Sequence, residues 1–153
     1  MSDDYEKYER ECNRIREENK KLLNDFAQRL KSETLKDKTI KQHIENIDFY
    51  INQYLLYEDA VEAKDGTDGV DMFLGYWFIK KAMWSSSAQI KNNAASLKKF
   101  YTFLNQKGLI DSSELNQLKE TIKEGMPEWI ATMKRYEDPS IQDMGEVWGL
   151  NID

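Results

Sequence analysis

At 153 residues, with 40% apolar and 33% charged side chains, the chain is sized for one domain that buries a core without covalent staples. One cysteine (Cys12) and one histidine (His43) exclude an internal disulfide and a Cys/His zinc site, and the seven scattered glycines form no phosphate-cradling loop. The acidic start Met1-Ser2-Asp3-Asp4-Tyr5-Glu6 is no secretory signal, and no apolar run approaches the roughly 18 residues of a membrane span. These features read as a cytoplasmic protein with no membrane association, no metal or other cofactor, and no catalytic apparatus of its own.

The first predicted element places Tyr5, Tyr8, Cys12, Ile15, Leu22, Phe26 and Leu30 at three- and four-residue steps, with Asn19 where another apolar residue would fall. This spacing predicts one long amphipathic helix, or two with a kink near Asn19. Its charged outer face makes residues 1–24 an amphipathic extension, mobile or coiled-coil-like. Asp37 then caps a second helix with Ile40, Ile44, Ile47, Ile51 and Tyr54 on one face. Asp65-Gly66-Thr67-Asp68-Gly69 is turn chemistry, read through glycine's tolerance of positive φ. From Val70 to Trp84 the chain is apolar on every side, the mark of a helix buried among others.

Ser86 and Gln89 have capping-box spacing and open a fourth helix with Ile90, Ala94, Leu97, Tyr101 and Leu104 inside, widened by Phe100 and Phe103. Gly108 suits a left-handed C-terminal cap, with Leu109 and Ile110 folding back. Asp111 and Glu114 repeat the capping spacing before Leu115, Leu118 and Ile122. Gly125 is expected to stop that helix, and Pro127 to open a last one through Met126, Trp129, Ile130, Met133 and Tyr136. Asp138-Pro139 ends it. The tail 139–153, acidic and aromatic with Ile141, Met144, Val147, Trp148 and Leu150, packs back on the domain or onto a partner. The fold expected is an all-α compact orthogonal bundle of five or six helices.

The net charge of −6 argues mildly against nucleic acid, because phosphate binding draws on Lys and Arg. Its distribution matters more. Residues 85–110 hold four lysines (Lys91, Lys98, Lys99, Lys107) and no acidic residue, so one helix is locally positive on an acidic body. Gln89, Asn92, Asn93 and Ser96 add side chains able to bond phosphates and base edges. The start of the second helix offers Lys36, Lys38, Thr39, Lys41 and Gln42, beside N-terminal amides that favour a phosphate.

Lys38-Thr39-Ile40-Lys41-Gln42-His43-Ile44 through Phe49 resembles the "KTI..Y...I..F..Y" helix of the N-terminal core-binding domain of tyrosine recombinases, the phage integrases. Ser96-Leu97-Lys98-Lys99-Phe100-Tyr101-Thr102-Phe103-Leu104 with Gly108-Leu109-Ile110 resembles that family's "sLk.Fy.fL...G.I" signature. Val70-Asp71-Met72-Phe73-Leu74 sits where the family places its "v..FL" segment. The resemblance implies a SAM-like helical domain over residues 25–110; beyond it the chain departs from the family, and 111–138 reads as a C-terminal helical pair packed on that domain. The resemblance further implies half of a clamp on double-stranded DNA. The contacting residues carried over are Lys38, Thr39, Lys41 and Gln42 of the second helix and Gln89, Lys91, Asn92 and Lys99 of the fourth, to which the outward-facing charge of the fourth helix adds Lys98. The family's catalytic domain brings two arginines, a His-x-x-Arg element and a nucleophilic tyrosine, and the chain holds no His-x-x-Arg. It reads as a stand-alone relative of the binding domain or as a piece of something longer.

Two functions follow from the sequence. One is a non-catalytic DNA-binding module that grips the backbone. The other is an acidic helical protein-interaction domain that kept the fold and lost DNA, with a partner held by the N-terminal helix or the Trp148 tail. His43 is read as structural or surface, Cys12 as a small buried hydrophobe, and the Tyr76/Trp77/Phe78 cluster as core.

Overall fold

The structure, a computed structural model, describes residues 3–141 together with Val147 and Trp148. Among these residues there are five helices and no strand, an all-α fold. Helix α1, Asp3–Ser32, is unbroken. Asn19 does not kink it but is 1% exposed, its amide donating to the Ile51 carbonyl at 3.3 Å and to Asn52 Oδ1 at 2.8 Å. The N-terminal half of α1 is docked: Cys12 and Ile15 are buried with Leu56, and the Tyr8 hydroxyl donates to the Leu56 carbonyl.

Helix α2 runs over Asp37–Phe49 and continues through a wide π turn, Tyr50–Tyr54. There the Leu55 amide reaches back five residues to the Tyr50 carbonyl at 3.0 Å. Lys36, not Asp37, takes the N-cap position, and it makes no side-chain cap bond. Asp37 stands one residue further in, where its carboxylate faces the positive end of the helix dipole.

Two 3₁₀ turns follow, Ala63–Asp65 and Thr67–Gly69. Gly66 and Gly69 have φ of −95° and −88°, so the expected positive-φ turn is absent. Gly66 is small for want of room instead. A Cβ there would lie 2.6 Å from Leu55 Cδ1 and 2.7 Å from the Tyr101 hydroxyl.

Helix α3, residues 70–81, comprises Val70–Met72, a second π turn Phe73–Trp77, and Phe78–Lys81. It is not buried all round. Phe73, Leu74, Phe78 and Ile79 are inside, whereas Met72 and Tyr76 face out. It also stops short of Trp84. Ala82 is extended, and the Ser85 hydroxyl donates to the Ile79 carbonyl at 3.2 Å, turning Met83 wholly into solvent.

Helix α4, Ser87–Gln106, is capped by Ser86, whose hydroxyl accepts from the Gln89 amide. Its inner stripe, with Phe100 and Phe103, is buried as the spacing predicts. Gly108 adopts φ +78°, with Leu109 N–H donating to the Leu104 carbonyl and Gly108 N–H to that of Asn105, a Schellman cap. Ile110 folds inward; Leu109 stays exposed.

Asp111 caps helix α5, accepting from the Glu114 amide at 2.8 Å. The two helices expected after Asp111 are one, Ser112–Glu137. Pro127 removes one backbone donor, but it and Lys123, the residue four back, are both exposed, so water can take the freed carbonyl. Gly125 is no stop signal. The Trp129 indole lies between Gly75 and Gly125, where a Cβ would come within 2.8 Å and 2.4 Å of the ring. Its N–H donates to Asp71 Oδ1 at 2.8 Å, tying α5 to α3.

Of the tail, Val147 is buried, its carbonyl accepting from Arg135 Nε at 2.9 Å. Trp148 packs 4.6 Å from the Tyr76 ring and 6.1 Å from that of Tyr136. These two residues fold back on α3 and α5; Met144 and Leu150 lie outside the described residues. No helix among the described residues is long and apolar enough to cross a membrane.

Gly125→Ala separates propensity from packing. Helix propensity alone favours alanine by about 1 kcal/mol, but overpacking a pinned ring costs about 1–3 kcal/mol. The expected result is a net loss of stability, read as a lower urea midpoint at unchanged slope; a higher midpoint would mean the indole is free to move.

Candidate nucleic-acid interface

On α2, Lys38, Thr39, Lys41 and Gln42 are all exposed, since Ile40, Ile44 and Ile47 turn the other face inward. Lys41 lies 3.9 Å from Glu45 one turn on, both largely in solvent, which offsets part of its charge. On α4, Lys91, Asn92, Lys98 and Lys99 are exposed and Gln89 is half-buried.

Asn93 and Ser96 are buried, which removes them from the contact face. Asn93 donates to the Gln89 carbonyl at 2.8 Å. Ser96 Oγ accepts from Asn46 Nδ2 at 3.0 Å and lies 2.7 Å from His43 Nδ1. The hydroxyl has two lone pairs and one proton, so it pairs with both side chains at once, the direction of its bond to His43 following the ring's tautomer. Burial lowers the His43 pKa below 6.5, the positive charge of Lys99 lowers it further, and Glu33 opposes. His43 is thus the polar joint between α2 and α4.

Packing places four of the nine expected contact residues in two grooves, and Lys38, Thr39, Lys41, Lys91 and Asn92 line neither. Gln42 and Gln89 meet in one of about 570 Å³, shared with Glu45 and Asp48, whose carboxylates repel phosphate. Lys98 and Lys99 line another of about 350 Å³, where α1 supplies Arg29 and Glu33 and α5 supplies Lys119. Four cations there face one carboxylate. Arg29 is held in place, donating to Gln106 Oε1 and lying 5.9 Å over the Phe103 ring. Lys107 reaches the same ring at 5.4 Å and pairs with Asp25 at 3.1 Å.

Sequence reasoning missed Arg29 and Lys119. Each belongs to a helix of mixed charge, and only packing against α4 brings it beside Lys98 and Lys99. Cys12 is buried, as is Phe78, but Tyr76 is exposed and Trp77 half-buried, so only part of that aromatic cluster is core.

Compared with protein-family models, with curated proteins and with solved structures, the chain matches none.

The lone histidine reports on this region. Its ring should titrate below 6.5 by NMR, and Lys99→Gln should raise the midpoint by removing a neighbouring cation. A folded pKa below the unfolded one means the unfolded chain binds more protons in the window between them. His43's contribution to stability is therefore complete above about pH 6.5 and is lost as pH falls below it. A midpoint at or above 6.5 would contradict the burial and the Lys99 contact.

Proposed function

We propose that this chain is a non-catalytic DNA-binding module of the core-binding type, gripping duplex DNA by its phosphate backbone. One observation carries the reading: Arg29, Lys98, Lys99 and Lys119 converge from three helices on one groove holding a single carboxylate. The motif order that resembles the integrase domain supports it, with Lys98 and Lys99 inside the matching signature. The exposed first turn of α2 adds Lys38, Thr39 and Lys41, which lie outside that groove.

The acidic total does not decide against this. At physiological salt the Debye length is about 8 Å, so carboxylates farther away than that are largely screened. The local face sets the contact. Phe26 and Phe103 in the groove are buried and the Gln106 amide is engaged by Arg29, so the grip is on phosphate and shape rather than sequence.

Fluorescence anisotropy of a labelled mixed-sequence duplex of about 30 base pairs, titrated across salt, tests this reading. With four phosphate contacts, log affinity should fall with log salt at a slope of roughly −3 to −4. Lys98→Glu with Lys99→Glu should abolish binding at moderate salt while leaving the helical circular dichroism unchanged. No binding at low salt, or binding indifferent to this double change, would overturn the proposal.

A further inference from the structure

A third groove, of about 390 Å³, opens between the end of α2, the loop after it and α3. It shares no residue with the cationic groove. Tyr54, Tyr57, Val61, Met72, Tyr76 and Trp77 form its apolar wall. Three of them are unusually open for large apolar side chains: Tyr57 at 55%, Met72 at 59% and Tyr76 at 38% exposed. Contiguous exposure of this kind marks an interaction surface.

The rim is of one sign. Glu58, Asp59, Asp65 and Asp68 line it, and no lysine or arginine does. Glu58 and Asp68 both push the Tyr54 pKa upward, after burial, so their negative potential reaches the aromatic wall. The outer rings already hold cations from the chain itself: Lys81 lies 5.6 Å over Tyr57 and Lys80 5.5 Å over Tyr76.

Both π turns of the fold end at this groove, the first at Tyr54 and the second at Trp77. Such turns interrupt an α-helix at a cost and recur at functional sites. Trp77 also keeps its indole N–H out of water without an acceptor among the described residues.

We infer that this groove binds a Lys- or Arg-bearing peptide segment of a partner protein. An apolar side chain of the segment seats against Met72 and Trp77, and its cations lie between the tyrosine faces and the carboxylate rim. Charge complementarity selects this occupant. A nucleic acid would set phosphates against four carboxylates, and an apolar helix alone would leave those carboxylates unpaired. The volume suits one or two anchoring side chains, and cations over aromatic faces are a recognised attractive pairing.

The test is selection of a displayed random 12-residue peptide library on the full-length chain, with binders measured by anisotropy as labelled synthetic peptides. The expected outcome is enrichment of peptides combining Lys or Arg with a large apolar residue. Their affinity should fall at least tenfold on Glu58→Lys with Asp59→Lys, and similarly on Tyr57→Ala with Met72→Ala. All four positions are exposed, so both variants should keep the wild-type melting temperature. Affinity should be unchanged on Lys98→Glu with Lys99→Glu, which separates this site from the DNA-binding face. Recovery of no binders, of neutral or acidic peptides, or of peptides indifferent to the rim and wall changes would overturn the inference.

Discussion

Two buried hydroxyl groups hold the middle of the molecule together. Tyr50, at the π turn of α2, donates to the Gly66 carbonyl at 2.6 Å, and Tyr101, in α4, donates to that of Ala63 at 2.7 Å. Both rings are fully buried, and burial raises both pKa values, with nearby carboxylates adding to the effect. The two tyrosines therefore stay protonated and remain donors. Each carbonyl also accepts a backbone bond, that of Gly66 from the Gly69 amide at 3.3 Å and that of Ala63 from the Gly66 amide at 3.2 Å, so each tyrosine adds a tie from a helix to the loop, worth about 0.5–1.5 kcal/mol. The same loop supplies Asp65 and Asp68 to the aromatic groove, so the positions of those carboxylates follow from hydroxyls on two different helices.

The π turns belong to the same arrangement. Tyr50 stacks on Tyr54 at 5.4 Å, and both rings meet Phe73, at 4.8 Å and 5.0 Å. Tyr54 also meets Trp77 at 5.3 Å, so the rings of one wide turn pack against those of the other. Widening a turn shifts carbonyls out of the regular α pattern, and one of them, that of Ile51, is met by Asn19. The polar residue that breaks the apolar stripe of α1 is thus a donor to the π turn of α2. A buried amide is tolerable only with such partners, and Asn19 has two.

The elements legible in the sequence are those set by local chemistry. Ser86, Asp111 and Gly108 act on backbone groups three or four residues away, so their roles could be read from spacing alone. The α4 stripe was equally plain, because its 3.6-residue period and its burial coincide. What failed depended on distant residues. Gly125 and Pro127 look like a helix boundary until Trp129 is seen to occupy the space beside the glycine. Gly66 looks like a positive-φ turn until Tyr101 fills the place of its Cβ. The candidate site divides in the same way. Exposure of Lys98 and Lys99 follows from helical phase, whereas Arg29 and Lys119 join them only by packing. Asn93 and Ser96 sit close enough to the stripe that phase could not tell buried from exposed, and the polar partners that keep them inside come from α2 and from the backbone of α4 itself.

The segregation of charge gives the net value of −6 its meaning. A uniformly acidic surface would repel phosphate everywhere and attract basic peptides without choice of place. Here four cations share one groove with a single carboxylate, while four carboxylates line another whose nearest lysines, Lys80 and Lys81, lie over its outer rings. Each set lies within one small pocket, at separations where salt screens only in part. A phosphate chain is therefore discouraged from the second groove by the charges that attract a lysine there, and a basic segment is discouraged from the first. Because the two grooves have no residue in common, a change of charge in one leaves the other's side chains in place.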